Sequence, residues 1–251
     1  MKLLWGIAAV ALLAAAWSGI GRYVWRQPEV TPAIRGEALA RELGCFGCHG
    51  PGGLGGIADP TSSAGDIPGW RGATASMYVR NEQEIREWIL YGAPRESLSP
   101  GQSTASHSLV PMPAYAEYLS SRELDDLVAY FRAVSGWAPE IPDNAYEGRK
   151  LASRLGCFGC HGPSGMGGVA NPGSFVGHVP PWDGAEFEEL VHDESELREW
   201  ILDGRPRRLA DNTLARFFLD RQKTPMPAYR EHISDDDLKK LVAYIGWLRS
   251  R

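Results

Sequence analysis

Cys45-Phe46-Gly47-Cys48-His49 recurs as Cys157-Phe158-Gly159-Cys160-His161, and these two pentapeptides use all four cysteines of the 251-residue chain. No thiol is left over for a disulfide. Two thiols three residues apart reach both vinyl groups of one haem, and the adjacent histidine then approaches the iron from one face. The spacing therefore predicts two covalently bound haem c groups. Cys45, Cys48 and His49 would hold one, and Cys157, Cys160 and His161 the other. A zinc site would need further ligands at close spacing, and the adjacent pair Cys48-His49 suits a tetrahedral site poorly. A thioredoxin-type dithiol gives no reason for a histidine to follow twice.

The motifs sit inside a longer repeat. Gly44 to Pro51 recurs unchanged as Gly156 to Pro163, and Gly36-Glu-Ala-Leu-Ala upstream matches Gly148-Arg-Lys-Leu-Ala. Downstream, Glu84 to Gly92 matches Glu196 to Gly204, Pro111-Met-Pro-Ala-Tyr115 matches Pro225-Met-Pro-Ala-Tyr229, and Leu127-Val-Ala-Tyr130 matches Leu241-Val-Ala-Tyr244. The order is the same in both halves and the offset moves only from 112 to 114, which is the signature of a duplicated domain.

Each half supplies a candidate second axial ligand. Met112 and Met226 lie between prolines in the two identical pentapeptides. A thioether is a soft, neutral ligand that favours ferrous iron, and the flanking prolines restrict the backbone that aims it. The bland reading is core filler, but it explains poorly why one pentapeptide occupies matching places. Met77, His107, Met166 and His178 are the competitors, and none has an equivalent in the other half. His192 and His232 are also unmatched and read as surface residues.

With these residues in place, the chain resembles the class I cytochrome c family in tandem dihaem form, over nearly everything from about residue 34 onward. The resemblance implies Cys-x-x-Cys-His after a first helix, methionine in a later loop, and a closing C-terminal helix. It places the family's helix-crossing glycine and aromatic at Gly36 with Tyr130 and at Gly148 with Tyr244. It also implies a proline carbonyl on the proximal histidine ring, for which Pro60 and Pro172 lie at a suitable distance. The stretch between attachment site and methionine is long for the family and implies an insertion loop in each domain.

Periodicity predicts the helices independently. Leu124, Leu127, Val128 and Phe131 follow the i, i+3, i+4, i+7 rule, as do Leu238, Leu241, Val242 and Ile245. Ser120 with Glu123 and Ser234 with Asp237 read as N-terminal caps. Shorter helices are expected over Glu82 to Leu90 and Glu194 to Leu202, ending at Gly92 and Gly204. No run alternates as a strand does, so the fold class is mostly α. The glycine-rich stretches after each motif lack the lysine of a phosphate loop and read as backbone passing close to the haem. Trp88 and Trp200 read as core or haem-packing residues, and Phe46 and Phe158 as packing residues.

Leu3 to Ile20 carries no charge, with Lys2 before it and Arg22, Tyr23, Trp25 and Arg26 after it. Such a stretch nearly spans a bilayer, and the aromatic residues suit the interface. Residues 1–26 are expected to form an N-terminal transmembrane signal anchor. Ala14-Ala15-Ala16 keeps a cleaved signal peptide as the rival reading. Residues 34–136 and 146–251 then form the two cytochrome c domains, with 137–145 as a short, stiff linker. The net charge of −5 hides an asymmetry: residues 27–137 hold 8 Lys/Arg against 13 Asp/Glu, and residues 146–251 hold 15 against 16. Arg205, Arg207, Arg208, Arg216, Arg221 and Lys223 cluster ahead of Met226, either as a solvated loop, as partners of haem propionates, or as a docking patch for an acidic partner.

The expectation is an electron-transfer protein rather than an enzyme, held at the cytoplasmic membrane with its haem domains on the periplasmic or extracytoplasmic side. Its partners would be redox proteins or a larger respiratory or photosynthetic complex, with no nucleic acid and no small-molecule substrate. A dihaem peroxidase or a haem-based sensor is the alternative. Either would need an open or labile sixth position.

Overall fold

The computed structural model describes residues 30–251 apart from 63, 72–76 and 99–108, so the expected anchor at 1–26 and His107 lie outside the described residues. Among the described residues no helix is long and apolar enough to cross a membrane. They form a mostly helical chain, with only two isolated bridges, Ala58 to Asp66 and Ala170 to His178, in place of a sheet.

The first half contains α1 (Pro32–Glu42), the short α2 (Cys45–His49), α3 (Glu82–Tyr91) and α4 (Ser121–Ser135). The second half repeats these as α5 (Asp143–Arg154), α6 (Phe158–His161), α8 (Glu194–Asp203) and α11 (Asp235–Arg249). It adds α7 (Glu186–Leu190), α9 (Arg207–Asp211) and α10 (Thr213–Arg221). The helix α5 begins at Asp143, inside the stretch 137–145.

Local chemistry sets these boundaries. Ser120 and Glu123 form a reciprocal capping box at α4, and Ser234 and Asp237 form one at α11. Asn81 and Asp193 cap α3 and α8 by accepting from Glu84 N and Glu196 N, and both helices end at a left-handed glycine, Gly92 and Gly204. The apolar stripe of α4 buries Leu124, Leu127 and Val128, and that of α11 buries Leu238, Leu241 and Ile245.

The first and last helices of each half cross in backbone contact. A β-carbon on Gly36 would stand 1.9 Å from the carbonyl oxygen of Asp126, and one on Gly148 would stand 1.9 Å from that of Lys240. The next ring along the closing helix, Tyr130 or Tyr244, lies against the same glycine. These phenols donate to Gly52 O at 3.2 Å and to Ser164 O at 2.8 Å, tying each closing helix to the turn after the Cys-x-x-Cys-His motif.

The two halves share a seam. The Ser164 hydroxyl, buried, donates to Ala133 O at 2.7 Å, and the Thr31 hydroxyl donates to Met166 O at 3.1 Å. Glu140, in the connecting segment, accepts from Arg132 at 2.5 Å and pairs with Arg251 at 2.8 Å. Ser164 is the one non-glycine residue with a positive φ among the described residues, at 53°, where the first half has Gly52 at 63°.

Gly148→Ala forces α5 off α11 and is expected to lower stability by about 2–3 kcal/mol. Gly246→Ala, with nothing within 4 Å of the new methyl group, is expected to raise it by about 0.5–1 kcal/mol. Urea unfolding monitored by helix signal separates the two.

Candidate haem site

Each Cys-x-x-Cys-His segment follows directly on the first helix of its half. Leu43 and Leu155 close those helices, and the next glycine, Gly44 or Gly156, turns the chain with φ near 78° and 79°. The cysteines and histidines are half-buried. His49 Nδ1 lies 2.8 Å from Pro68 O and His161 Nδ1 lies 3.0 Å from Pro180 O. A carbonyl oxygen only accepts, so Nδ1 must carry the proton, which leaves Nε2 with its lone pair free to bind a metal. Burial lowers the pKa of both imidazoles, opposed by the proline carbonyl, and so favours the neutral ring.

The carbonyls therefore come from Pro68 and Pro180 rather than from Pro60 and Pro172. The chain leaves the motif, makes the bridge of Ala58 with Asp66, and carries Pro60 outward before it returns. On the return, Ile67 N donates to Ile57 O at 2.8 Å and Trp70 N to Gly53 O at 2.7 Å. The second half repeats this with Val179 N to Val169 O at 2.8 Å and Trp182 N to Gly165 O at 2.7 Å. Pro172 O instead accepts from Lys223 N at 3.0 Å.

The returning strand also delivers a tryptophan that backs the histidine. Trp70 lies 5.0 Å from the His49 ring and packs on Phe46, Tyr130 and Phe131. Trp182 lies 4.9 Å from the His161 ring and packs on Phe158 and Tyr244. Phe46 and Phe158 thus serve as packing residues, as their position between the thiols suggests. Gly53 and Gly165 make room for the indoles: a β-carbon at either would stand 2.3 Å or 2.2 Å from the ring. The glycines there accommodate tryptophan. Trp70 and Trp182 are missing from the candidate residues read off the sequence, although Ile67-Pro-Gly-Trp70 and Val179-Pro-Pro-Trp182 stand at the common offset of 112. Trp88 and Trp200 instead donate from Nε1 to Tyr78 O at 3.2 Å and Leu190 O at 3.1 Å.

The two methionine loops are seated alike. Tyr115 N donates to Ile89 O at 3.2 Å and Ala116 N to Leu90 O at 3.1 Å; Tyr229 N and Arg230 N do the same to Ile201 O and Leu202 O, both at 3.1 Å. The Tyr115 hydroxyl reaches back to Leu43 O at 3.3 Å and that of Tyr229 to Leu155 O at 3.1 Å, immediately ahead of each motif. Gly92 and Gly204 let the carbonyls of Met112 and Met226 approach α3 and α8.

In the second half these parts surround one cavity of about 610 Å³, lined by Cys157, Cys160, His161 and Met226 together with apolar side chains from α8, α10 and α11. That size suits a buried cofactor, and paired thiols facing a neutral imidazole match the attachment chemistry of haem c. The residues fit the group. Burial pushes the Cys157 thiol up to about 11, the opposite of the activated thiolate that a redox dithiol needs. In the first half, residues 72–76 and 99–108, which match parts of this wall in sequence, lie outside the described residues.

Of the competing ligands, Met77 is 78% exposed and Met166 packs into the second core. His178 does line the cavity, but its ring nitrogens lie 3.1 Å from Val176 O and 2.7 Å from Glu186 Oε2. His192 and His232 are exposed. Within the arginine cluster, Arg205, Arg207 and Arg208 pair with Asp220, Glu199 and Glu196. Arg216, Arg221 and Lys223 are exposed, and Arg221 lies over the Phe217 ring at 4.9 Å.

Fold and site define each half as an α-helical domain built to hold a c-type haem. Residues 33–135 match the family described as Cytochrome c, and residues 143–245 match the family described as Cytochrome C oxidase, cbb3-type, subunit III. The chain consists of two tandem domains of the cytochrome c family, a family whose members carry covalently bound haem c. No curated protein matches it. Among solved structures, the Kuenenia stuttgartiensis reducing HAO-like protein complex is similar at 15% identity over 88% of this chain and 99% of that one, with a TM-score of 0.28.

Trp182→Ala removes the ring behind His161 and is expected to cost about 3–5 kcal/mol. Tyr229→Phe removes the hydroxyl that bonds to Leu155 O and to the Cys157 side chain, and is expected to cost about 1 kcal/mol. Both are read as a lower urea midpoint at unchanged slope.

Proposed function

We propose that the chain is a membrane-anchored dihaem electron carrier. Cys45 and Cys48 would attach one haem c, whose iron His49 and Met112 would bind; Cys157 and Cys160 would attach the other, whose iron His161 and Met226 would bind. The observation that carries this reading is the matched seating of the two Pro-Met-Pro-Ala-Tyr loops, each tied by its tyrosine to the leucine carbonyl two residues ahead of its Cys-x-x-Cys-His motif. When bound, the haem supplies a reversible one-electron couple between ferric and ferrous iron. The chain's own residues then decide how it is used. The proline carbonyls orient neutral imidazoles, the methionine sulfurs would supply the second ligand of each iron, and the apolar wall of the second cavity would keep water away from it. With a histidine and a methionine on each iron, no position would remain for a substrate, and the thioether would favour the ferrous state.

The anchor is the apolar stretch 3–20, and the haem domains face the periplasm or the extracytoplasmic side, where the family attaches its haem. The match of the second half to a subunit family of cbb3-type oxidases supports service in, or next to, a membrane redox complex. The exposed cations Arg216, Arg221 and Lys223 beside the Met226 loop suit an acidic redox partner.

The detergent-solubilised protein is expected to contain two haems per chain, to show a sulfur-to-iron absorption band when oxidised, and to bind no carbon monoxide when reduced. Met112→Ala and Met226→Ala should each abolish half of that band and open one haem to carbon monoxide. A wild-type protein that binds carbon monoxide would overturn the closed-site reading in favour of a peroxidase or sensor. Membrane fractionation of the full chain, against a chain lacking residues 1–26, tests the anchor.

A further inference from the structure

The segment that leads into Met226 is held by the loop that follows the second Cys-x-x-Cys-His motif. That loop, residues 169–180, is closed on itself by the bridge of Ala170 with His178. Asn171 N donates to Gly177 O and Val179 N to Val169 O, both at 2.8 Å. Its backbone meets the end of α10 closely. A β-carbon on Gly173 would stand 2.3 Å from Arg221 O, and Lys223 N donates to Pro172 O at 3.0 Å.

Asn171 completes this contact with a side chain and is only 3% exposed. Its Oδ1 accepts from Thr224 N at 2.8 Å, and its Nδ2 donates to Thr224 O at 3.0 Å and to Gln222 Oε1 at 3.2 Å. Only Pro225 separates Thr224 from Met226. An amide that both accepts from and donates to one residue's backbone fixes that residue in two directions, and the proline then leaves the chain few ways to turn. Asn171 also lines the same cavity as Cys157, Cys160, His161 and Met226. The first half braces its methionine segment from the matching place. Asp59, fully buried, accepts through Oδ1 from Thr61 N at 3.0 Å and from the Thr61 hydroxyl at 2.6 Å. That hydroxyl accepts in turn from Leu109 N at 2.9 Å, three residues ahead of Met112.

The loop that carries Asn171 ends at Pro180, whose carbonyl lies 3.0 Å from His161 Nδ1. One bridged loop thus reaches both candidate ligands of the second centre, His161 directly and Met226 through Thr224. We infer that Asn171 is a positioning residue for Met226: its amide holds the segment entering the cavity, so that the sulfur stays in place and outside ligands stay off the iron of a bound haem. The inference rests on the reading of Met226 as an axial ligand. An outside ligand can enter only when the methionine segment swings away, and every hydrogen bond that must break lowers the population of that open state.

The test is a titration of the oxidised, detergent-solubilised holoprotein with imidazole. It follows the share of the sulfur-to-iron band that Met226→Ala abolishes, and the urea midpoint of each variant is measured alongside. Asn171→Ala should lower the imidazole concentration that displaces half of this share by about tenfold, the equivalent of one to two hydrogen bonds. Asn171→Ser, whose short hydroxyl cannot serve both backbone groups of Thr224, should shift the titration the same way by less. Leu238→Ala, in the core at 4% exposure and outside the cavity lining, should lower the urea midpoint and leave the imidazole titration where it is. The inference is overturned if Asn171→Ala titrates as the wild type does, or if Leu238→Ala shifts the titration as far as Asn171→Ala. If Asn171→Ala fails to fold, Asn171→Ser decides against the wild type. Failure of the underlying ligand reading looks different: the wild type would then show no band that Met226→Ala removes.

Discussion

The contact on which the rest of each domain depends is made by backbone alone: Gly36 against the Asp126 carbonyl, and Gly148 against that of Lys240. Because the first and last helices touch without intervening side chains, Tyr130 and Tyr244 reach the turn that follows each Cys-x-x-Cys-His motif. That turn accepts the returning tryptophan, and the tryptophan brings the proline carbonyl two residues before it onto the histidine ring. Crossing, turn, indole and imidazole form one sequence of dependencies. A side chain inserted at its start would displace the imidazole of His49 or His161 at its end.

What can be read from the chain is what is local or repeated. The stripes of α4 and α11, their capping boxes and the glycine stops of α3 and α8 depend on spacing within one element. The glycine–tyrosine crossings come from family resemblance, and the structure places them as that resemblance implies. Pro60 is the wrong proline because distance along a chain says nothing about a loop that first swings outward through a bridge. The long stretch before Met226 reads as an insertion loop, yet it folds into helices. Asn212 caps α10 by accepting from Leu214 N and Ala215 N, both at 3.0 Å, and Ala215, Phe218 and Leu219 then turn toward the cavity. The pairing of His178 with Glu186 has no local signal, since only tertiary packing brings the strand end onto α7.

Likeness of the halves makes their differences informative. His49, Trp70 and Phe131 form one run of rings, and His161, Trp182 and Tyr244 another. The Tyr244 hydroxyl donates to Ser164 O, and the Ser164 hydroxyl donates to Ala133 O, two residues beyond Phe131. The sides of the two domains that carry His49 and His161 are therefore the sides joined by the seam.

Ser164 also bears on how such a chain can evolve. In the first half the equivalent residue is Gly52, which holds its left-handed backbone without strain; serine at φ 53° carries a penalty of about 1–2 kcal/mol. Its hydroxyl accepts from Arg149 of its own half at 3.5 Å, but its shorter bond, at 2.7 Å, goes to a carbonyl of the other half. Duplicated domains begin as interchangeable parts, free to be reordered, deleted or recombined with relatives. Here the second copy has become the specific neighbour of the first, so that reversing their order would strand a strained serine beside no acceptor. Two copies of one fold have become a single heritable unit.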